Sequence, residues 1–328
     1  LYFFLSGLLT QSSRLTTMYN KQIVFLATLL WAIHPVNVEP VAWISASKVL
    51  VYTSFYLTGL LCYLKFIRTE KLSYYVVTLA LALCSCLGKE QAVIFPLCLL
   101  LVDFVTDRGL LRLKIWEEKL PFLLLSLYMG TIPMLAQGFY REELDYPLID
   151  RLVFATYSLI EYLTKCLLPI KLSYLYPFPM LPGYPMLLRF WFYPVVVVFV
   201  VYSIYLLRQK QIIAFTSLFF LIHLLFVLHI IPISRFAIVA DRYVYLPGIA
   251  IFLLMTYLFV TFIYSKVKRI KVMMIIGLII YLCYLGGYTN NYVRQWKNTD
   301  SIKKELRELI NERKDIKNMH ELEKLMRN

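Results

Sequence analysis

Charge is what this chain has least of. Asp, Glu, Lys and Arg make up 16% of its 328 residues, where soluble domains carry about 25%. No long hydrophilic stretch occurs before Tyr288, so a large soluble domain ahead of that point is excluded. Nucleotide-binding and hydrolytic signatures are absent too: there is no P-loop, no GxGxxG, no HExxH and no usable Ser/His/Asp spacing. No tandem repeat of about 34 residues is present. The six cysteines lie in or beside apolar runs, and Cys84-Ser85-Cys86 lacks metal-site spacing. They read as small buried hydrophobes.

Apolar residues fill the space. They form 60% of the chain, with 22 Phe and 26 Tyr and a mean hydropathy of +0.67. Apolar runs of roughly 15–22 residues recur, each about long enough for a bilayer core of ~30 Å. Alternation is lacking, which excludes a β-barrel. The fold class is therefore all-α, a polytopic transmembrane helix bundle. About ten spans are predicted, at 1–10, 22–34, 49–67, 72–88, 91–105, 118–138, 190–207, 211–231, 243–264 and 271–289. The apolar start, Leu1 to Leu9, has neither Met nor a charged flank. It reads as the second half of a helix with further chain expected before it. Residues 1–289 form the membrane domain and 290–328 an external amphipathic helical tail.

The net charge of +14 could suggest nucleic acid, but its distribution says otherwise, because the basic residues sit in short loops between apolar runs. Five connections are basic. They hold Arg14 and Lys21; Lys65, Arg68 and Lys71; Arg108, Arg112, Lys114 and Lys119; Arg208 and Lys210; and Lys266, Lys268, Arg269 and Lys271. The positive-inside rule puts all five on the cytoplasmic side. The parity closes only if the helix at 152–168, which has Glu161 and Lys165 four residues apart, lies flat or re-entrant outside. The alternative is a full span with an inverted C-terminal half. The preferred topology puts His34–Glu39, Lys89–Glu90, Arg141–Asp150, Lys171–Arg189, Ser234–Arg242 and the tail on one external face.

Four polar segments on that face could carry chemistry. Glu39 could act as a general base or metal ligand and His34 as ligand or proton partner; the alternative is a helix-end cap that includes Asn37. Lys89 suits a phosphate, or pairs with Glu90. Arg235 and Arg242 suit bidentate phosphate contacts, with Asp241 holding Arg242 and with Tyr243 and Tyr245 at interfacial depth. The alternative is interfacial anchoring. The proline-rich loop around Tyr174 and Tyr176 cannot be helical. It reads as an apolar wall over a site or as a rigid connector.

The order of these motifs resembles a known family. His34-Pro-Val-Asn-Val-Glu39-Pro-Val-Ala-Trp-Ile-Ser45 is similar to the HPvHxEaVAWIS signature of membrane glycosyltransferases of the GT-C fold. The similar group is the transmembrane and tetratricopeptide-repeat (TMTC) O-mannosyltransferases and their bacterial relatives. Lys89-Glu90-Gln91-Ala92-Val93, Leu172-Ser-Tyr-Leu-Tyr-Pro-Phe-Pro179, Ala240-Asp241-Arg242-Tyr243-Val-Tyr245-Leu-Pro247 and Arg294-Gln295-Trp296-Lys297 resemble further family segments. The resemblance covers about Leu1 to Trp296. It implies a sugar transferred from a polyprenyl-phosphate carrier to an acceptor protein or glycan on the external face.

In that case Lys89, Arg235, Asp241, Arg242 and Tyr243 would hold the lipid phosphate. Asn37, Tyr174 and Tyr176 would wall the site, and Glu39 with His34 would support catalysis. The family's principal acidic pair is expected before residue 1, and its repeats after the end of this chain. A divalent metal is the only cofactor candidate. Residues 297–328 are a candidate docking surface for a partner protein. Short loops and absent repeats point to a bacterial inner membrane with a periplasmic tail. Two other functions compete: a non-catalytic subunit that binds a lipid phosphate, and a transporter of lipid-linked intermediates. Charges gathered at one face, not in mid-membrane broken helices, argue against the transporter.

Overall fold

The computed structural model describes residues 1–13, 15–137, 146–174, 176–178, 180, 185–207, 209–230, 237–264, 266–298 and 300–301. Prolines, glycines and charges set the helix limits. Helix α1 spans Tyr2–Gln11 and α2 spans Asn20–Ile33. Pro35 stops α2, because the residue before a proline is driven to an extended conformation; His34 has φ −73 and ψ 128. A 3-10 turn, Pro35–Asn37, leads into the short helix α3, Val38–Ala42. Pro40 fits α3 because first-turn residues need no N–H partner.

Next come α4, Lys48–Thr69, and α5, Leu72–Gly88. Glu70 joins them in a left-handed conformation (φ 54) and donates its N–H to Phe66 O at 2.8 Å. The two helices close tightly at Gly88, where a β-carbon would stand 3.2 Å from the Tyr52 backbone. After a 3-10 turn, Glu90–Ile94, come α6, Phe95–Val105, and α7, Leu113–Gln137. The span predicted from 91 thus begins as helix only at Phe95. Helix α8 spans Leu148–Leu167, α9 Phe192–Leu206 and α10 Gln211–Leu224. Helix α11 runs Gly248–Tyr264, five residues later than predicted, because a 3-10 turn at Asp241–Tyr243 and Pro247 precede it. Helix α12, Lys268–Gln295, continues past the predicted boundary at 289. The amphipathic tail predicted from 302 onward lies outside the described residues.

The chain is mostly helical, as its composition requires, with one addition. Tyr176–Pro177 (β1) and Ala237–Val239 (β2) form a small antiparallel pair. Pro177 keeps β1 extended, so it can pair. Helix α8 packs beside this pair. Arg151 donates to Ile230 O at 3.3 Å and Ser158 to Ile238 O at 3.3 Å, while Tyr162 OH accepts from Ala240 N at 3.4 Å.

Among the described residues, three helices are long and apolar enough to cross a membrane: Ile44–Thr69, Leu188–Leu206 and Lys268–Gln295. A fourth results if Asn20–Ile33 and Pro35–Ala42, bent by 57°, form one span. Helix α9 turns Val195, Val198, Phe199, Tyr202 and Leu206 outward, exposed. A continuous apolar surface of this kind suits hydrocarbon rather than water. The core runs from Phe4 and Leu8 through Ile23, Tyr56, Leu60 and Phe95 to Phe219 and Leu253. Between helices in lipid, such contacts act by dispersion and close packing.

The two ends of the bundle differ. Several basic connections come together at one end: Ser13 bonds Asp107 at 2.6 Å, Tyr19 stacks on Tyr264 at 3.8 Å, and Lys210 shares a groove with Phe262. A charged knot that the sequence reading did not anticipate sits at this end. Asp103 and Lys119 are both fully buried and 2.6 Å apart, and Arg108 reaches Asp103 at 3.1 Å and Glu118 at 2.7 Å. The Tyr63 hydroxyl donates to Asp103 at 2.7 Å and accepts from Arg108 at 2.9 Å. Every charge here has an opposite partner, which is the condition for burying any of them. The knot ties α4, α6 and α7.

Asp103→Ala should therefore leave Lys119 and Arg108 without a shared carboxylate. The expected loss is about 3–5 kcal/mol, read as a lower unfolding midpoint in detergent, with Asp103→Asn milder. An unchanged midpoint for Asp103→Ala would show that the knot does not hold the helices together.

Candidate functional site

At the opposite end, the α2–α3 break and the turn before α11 face each other. The backbone bond from Tyr243 N to Ala240 O, at 3.0 Å, closes that turn. Arg242 N donates to Glu39 at 2.7 Å, and the Arg242 guanidinium bonds the other oxygen of the same carboxylate. One carboxylate thus clasps one residue by backbone and side chain together. Glu39 is completely buried, while the Arg242 side chain is 23% exposed. The guanidinium also lies 5.5 Å from the Trp43 ring and 4.9 Å from the Tyr243 ring.

Asp241 does not hold Arg242, contrary to the sequence expectation. Successive residues of a 3-10 turn point about 120° apart, so Asp241 faces α8 instead. It lies 3.3 Å from the Lys165 ammonium and accepts from Tyr176 OH at 3.2 Å and Tyr292 OH at 3.4 Å. Burial pushes the Asp241 carboxyl above its ordinary range, against the pull of Lys165 and the two hydroxyls. Burial, reinforced by the charge of Asp241, also holds the Tyr176 phenol well above the ordinary tyrosine range. Tyr176 is accordingly a hydroxyl donor here, and the Lys165 ammonium sits 3.3 Å from its ring centroid.

Lys89 is buried beside the same turn. Its ammonium lies 5.6 Å from the Tyr52 ring and 5.0 Å from the Tyr243 ring. Lys89 and Arg242 therefore flank one aromatic ring. Tyr174 forms a wall with Trp43 at 5.5 Å and Trp296 at 5.7 Å, and Tyr292 meets Trp296 at 6.1 Å. The loop that carries Tyr174 and Tyr176 is strapped to α12: Tyr288 OH accepts from Leu172 N at 3.0 Å and Tyr284 OH donates to Pro169 O at 3.0 Å.

Glu39, Asp241, Arg242, Tyr243, Lys89, Tyr174 and Tyr176 come together as a group. His34 and Asn37 serve the helix break itself. His34 Nδ1 accepts from Val36 N at 3.3 Å, and the Asn37 amide donates to Trp31 O at 2.6 Å. Arg235 lies outside the described residues. Sequence reasoning missed Lys165, Trp43, Tyr292 and Trp296. Lys165 had a signal, its place on an amphipathic helix beside Cys166 and Leu167, but its spacing from Glu161 suggested a partner on its own helix.

Among the described residues, no three His, Cys, Asp or Glu side chains gather as a metal-ligand group. The oxygens of Glu39 and Asp241 face cations and hydroxyl donors. The arrangement is suited to orienting positive charge and N–H donors beside an aromatic wall.

The clasp has a measurable signature. In a double-mutant cycle of Glu39→Ala and Arg242→Ala, the losses of stability should be non-additive by about 1–3 kcal/mol. Additive losses in denaturant titrations would mean that the pair does not act as a unit. No protein-family model, curated protein or solved structure matches the chain.

Proposed function

We propose that this chain is a multi-pass membrane protein whose motif end binds the phosphate of a polyprenyl-phosphate-linked sugar, and that it works as a GT-C-type glycosyltransferase. The observation that carries this reading is the trio of cations around the Asp241–Tyr243 turn. Arg242 is held by Glu39, Lys165 by Asp241, and Lys89 packs on Tyr243. A lipid phosphate next to hydrocarbon needs cations fixed in this way. The aromatic wall of Trp43, Tyr174 and Trp296 beside it suits a sugar ring or an acceptor.

In the proposed transfer, an acceptor hydroxyl oxygen bonds to the sugar's anomeric carbon as the carbon–oxygen bond to phosphate breaks. The lipid phosphate leaves with the electron pair. Arg242 and Lys89 stabilise its growing charge, and do so without reorganisation because they are already held. Glu39 positions Arg242 and does not take the proton. Removal of the acceptor proton falls to another base, which the family resemblance assigns to the acidic pair. The donor atoms of Glu39 and Asp241 do not fit a divalent metal, and no step is assigned to one.

A second reading, a lipid-phosphate-binding subunit without transferase activity, is favoured by one observation: both site carboxylates are tied to cations. The experiment that separates the two uses the chain in nanodiscs. Binding of a short polyprenyl phosphate is followed by tryptophan fluorescence, and transfer by a radiolabelled polyprenyl-phosphate sugar. Arg242→Ala should weaken binding at least tenfold while the protein still folds. Binding without transfer by a full-length protein that includes the segment expected before residue 1 selects the second reading. Equal binding by wild type and Arg242→Ala overturns both.

The topology proposed is about ten spans, with the basic connections cytoplasmic and the motif end in the bacterial periplasm. The gathering of basic connections at one end, and the path of α8 along residues 230, 238 and 240, support it. In a cysteine-depleted background, Lys171→Cys should react with an impermeant maleimide from outside and Lys266→Cys only after the membrane is opened. The reverse pattern contradicts the orientation.

A further inference from the structure

Far from the motif end, a groove of about 550 Å³ lies between the start of α10 and the last turns of α11. Lys210, Leu258, Phe259, Thr261 and Phe262 line it. Its walls are apolar, and Leu258 and Phe262 are 45% and 50% exposed. Lys210 is one of its lining residues, and the Lys266 ammonium lies 4.3 Å from the ring centroid of Phe262, another of them. Lys268, Arg269 and Lys271 follow immediately in the chain.

An apolar groove with one lysine in its lining and a second lysine over one of its rings has the layout of a site for one lipid molecule. The acyl chain would lie along Leu258 and Phe262. The headgroup phosphate would meet Lys210 and Lys266, where hydrocarbon gives way to water. Thr261 does not offer its hydroxyl to the groove, because it donates that proton to Tyr257 O at 2.6 Å. Thr261 thus has no proton left to give a phosphate oxygen. We propose that it binds an anionic phospholipid of the leaflet that faces the basic end. This inference rests on the membrane character of the chain and not on the transferase reading. It concerns a different groove at the other end of the bundle.

The test uses the full chain in detergent, with phosphatidylglycerol, phosphatidylcholine and inorganic phosphate as probes. Bound lipid is counted by native mass spectrometry, and the lipid-induced rise in melting temperature is measured alongside. Phosphatidylglycerol should be retained and should raise the melting temperature; phosphatidylcholine should do neither at the same concentration. The double variant Lys210→Ala/Lys266→Ala should bind phosphatidylglycerol roughly 10- to 30-fold more weakly, with its lipid-free melting temperature unchanged. Lys114→Ala, an exposed basic residue elsewhere, should bind like the wild type. Retention of phosphatidylglycerol by the double variant overturns the proposal, as does equal loss in Lys114→Ala. Equal stabilisation by inorganic phosphate means that a phosphate, not a lipid, is recognised, and that overturns it as well.

Discussion

The clasp of Glu39 on Arg242 is the interaction on which the motif end depends. A buried carboxylate beside hydrocarbon is costly unless a cation and N–H donors surround it. Arg242 supplies both, the guanidinium and its own backbone N–H. The bond joins the α2–α3 break to the turn before α11, two segments about two hundred residues apart in the chain. With Arg242 fixed in this way, Asp241 is turned toward α8, and Lys165, Tyr176 and Tyr292 close around it. The small β pair and the strap to α12 follow from that second cluster.

The bundle is polar in the sense of having unlike ends. Helix α4 runs from Tyr52, beside Lys89, to Tyr63, inside the Asp103–Lys119 knot. Eleven residues of helix separate them, about 16 Å along the axis. The two clusters use their charges differently. The knot matches each charge and closes over Lys119 and Asp103. The motif cluster leaves the Arg242 side chain partly open and places it against an aromatic wall. A closed, matched network is what anchoring requires, and a partly open one is what ligand contact requires.

Much of this was legible in the sequence. Apolar periodicity located a helix in every predicted span. Pro35 and Pro40 marked the break that holds Glu39. Pro177 and Pro179 ruled out helix in the loop that became β1. Pairing was not legible. Glu39 with Arg242 and Lys165 with Asp241 are long-range contacts, and nothing local distinguishes Asp241 as the partner of Lys165 from Glu161 four residues away. The direction in which a 3-10 turn aims successive side chains was equally hidden, and it decided which carboxylate met Arg242. Helix ends drifted where turns intervened, as at Phe95 and Gly248. The Asp103 knot was missed because its charges looked like ordinary loop charges, and only burial shows that they are internal.

The central claim is that the cations around Tyr243 form the lipid-phosphate site. Its most direct test is photo-crosslinking in a bilayer with a polyprenyl phosphate that carries a diazirine next to the phosphate, with the label mapped by peptide mass spectrometry. Label on residues 39–43, 89–91 and 241–245, competed by unlabelled polyprenyl phosphate, is the result expected. Label confined to the basic end, around 65–71 and 266–271, would contradict the claim.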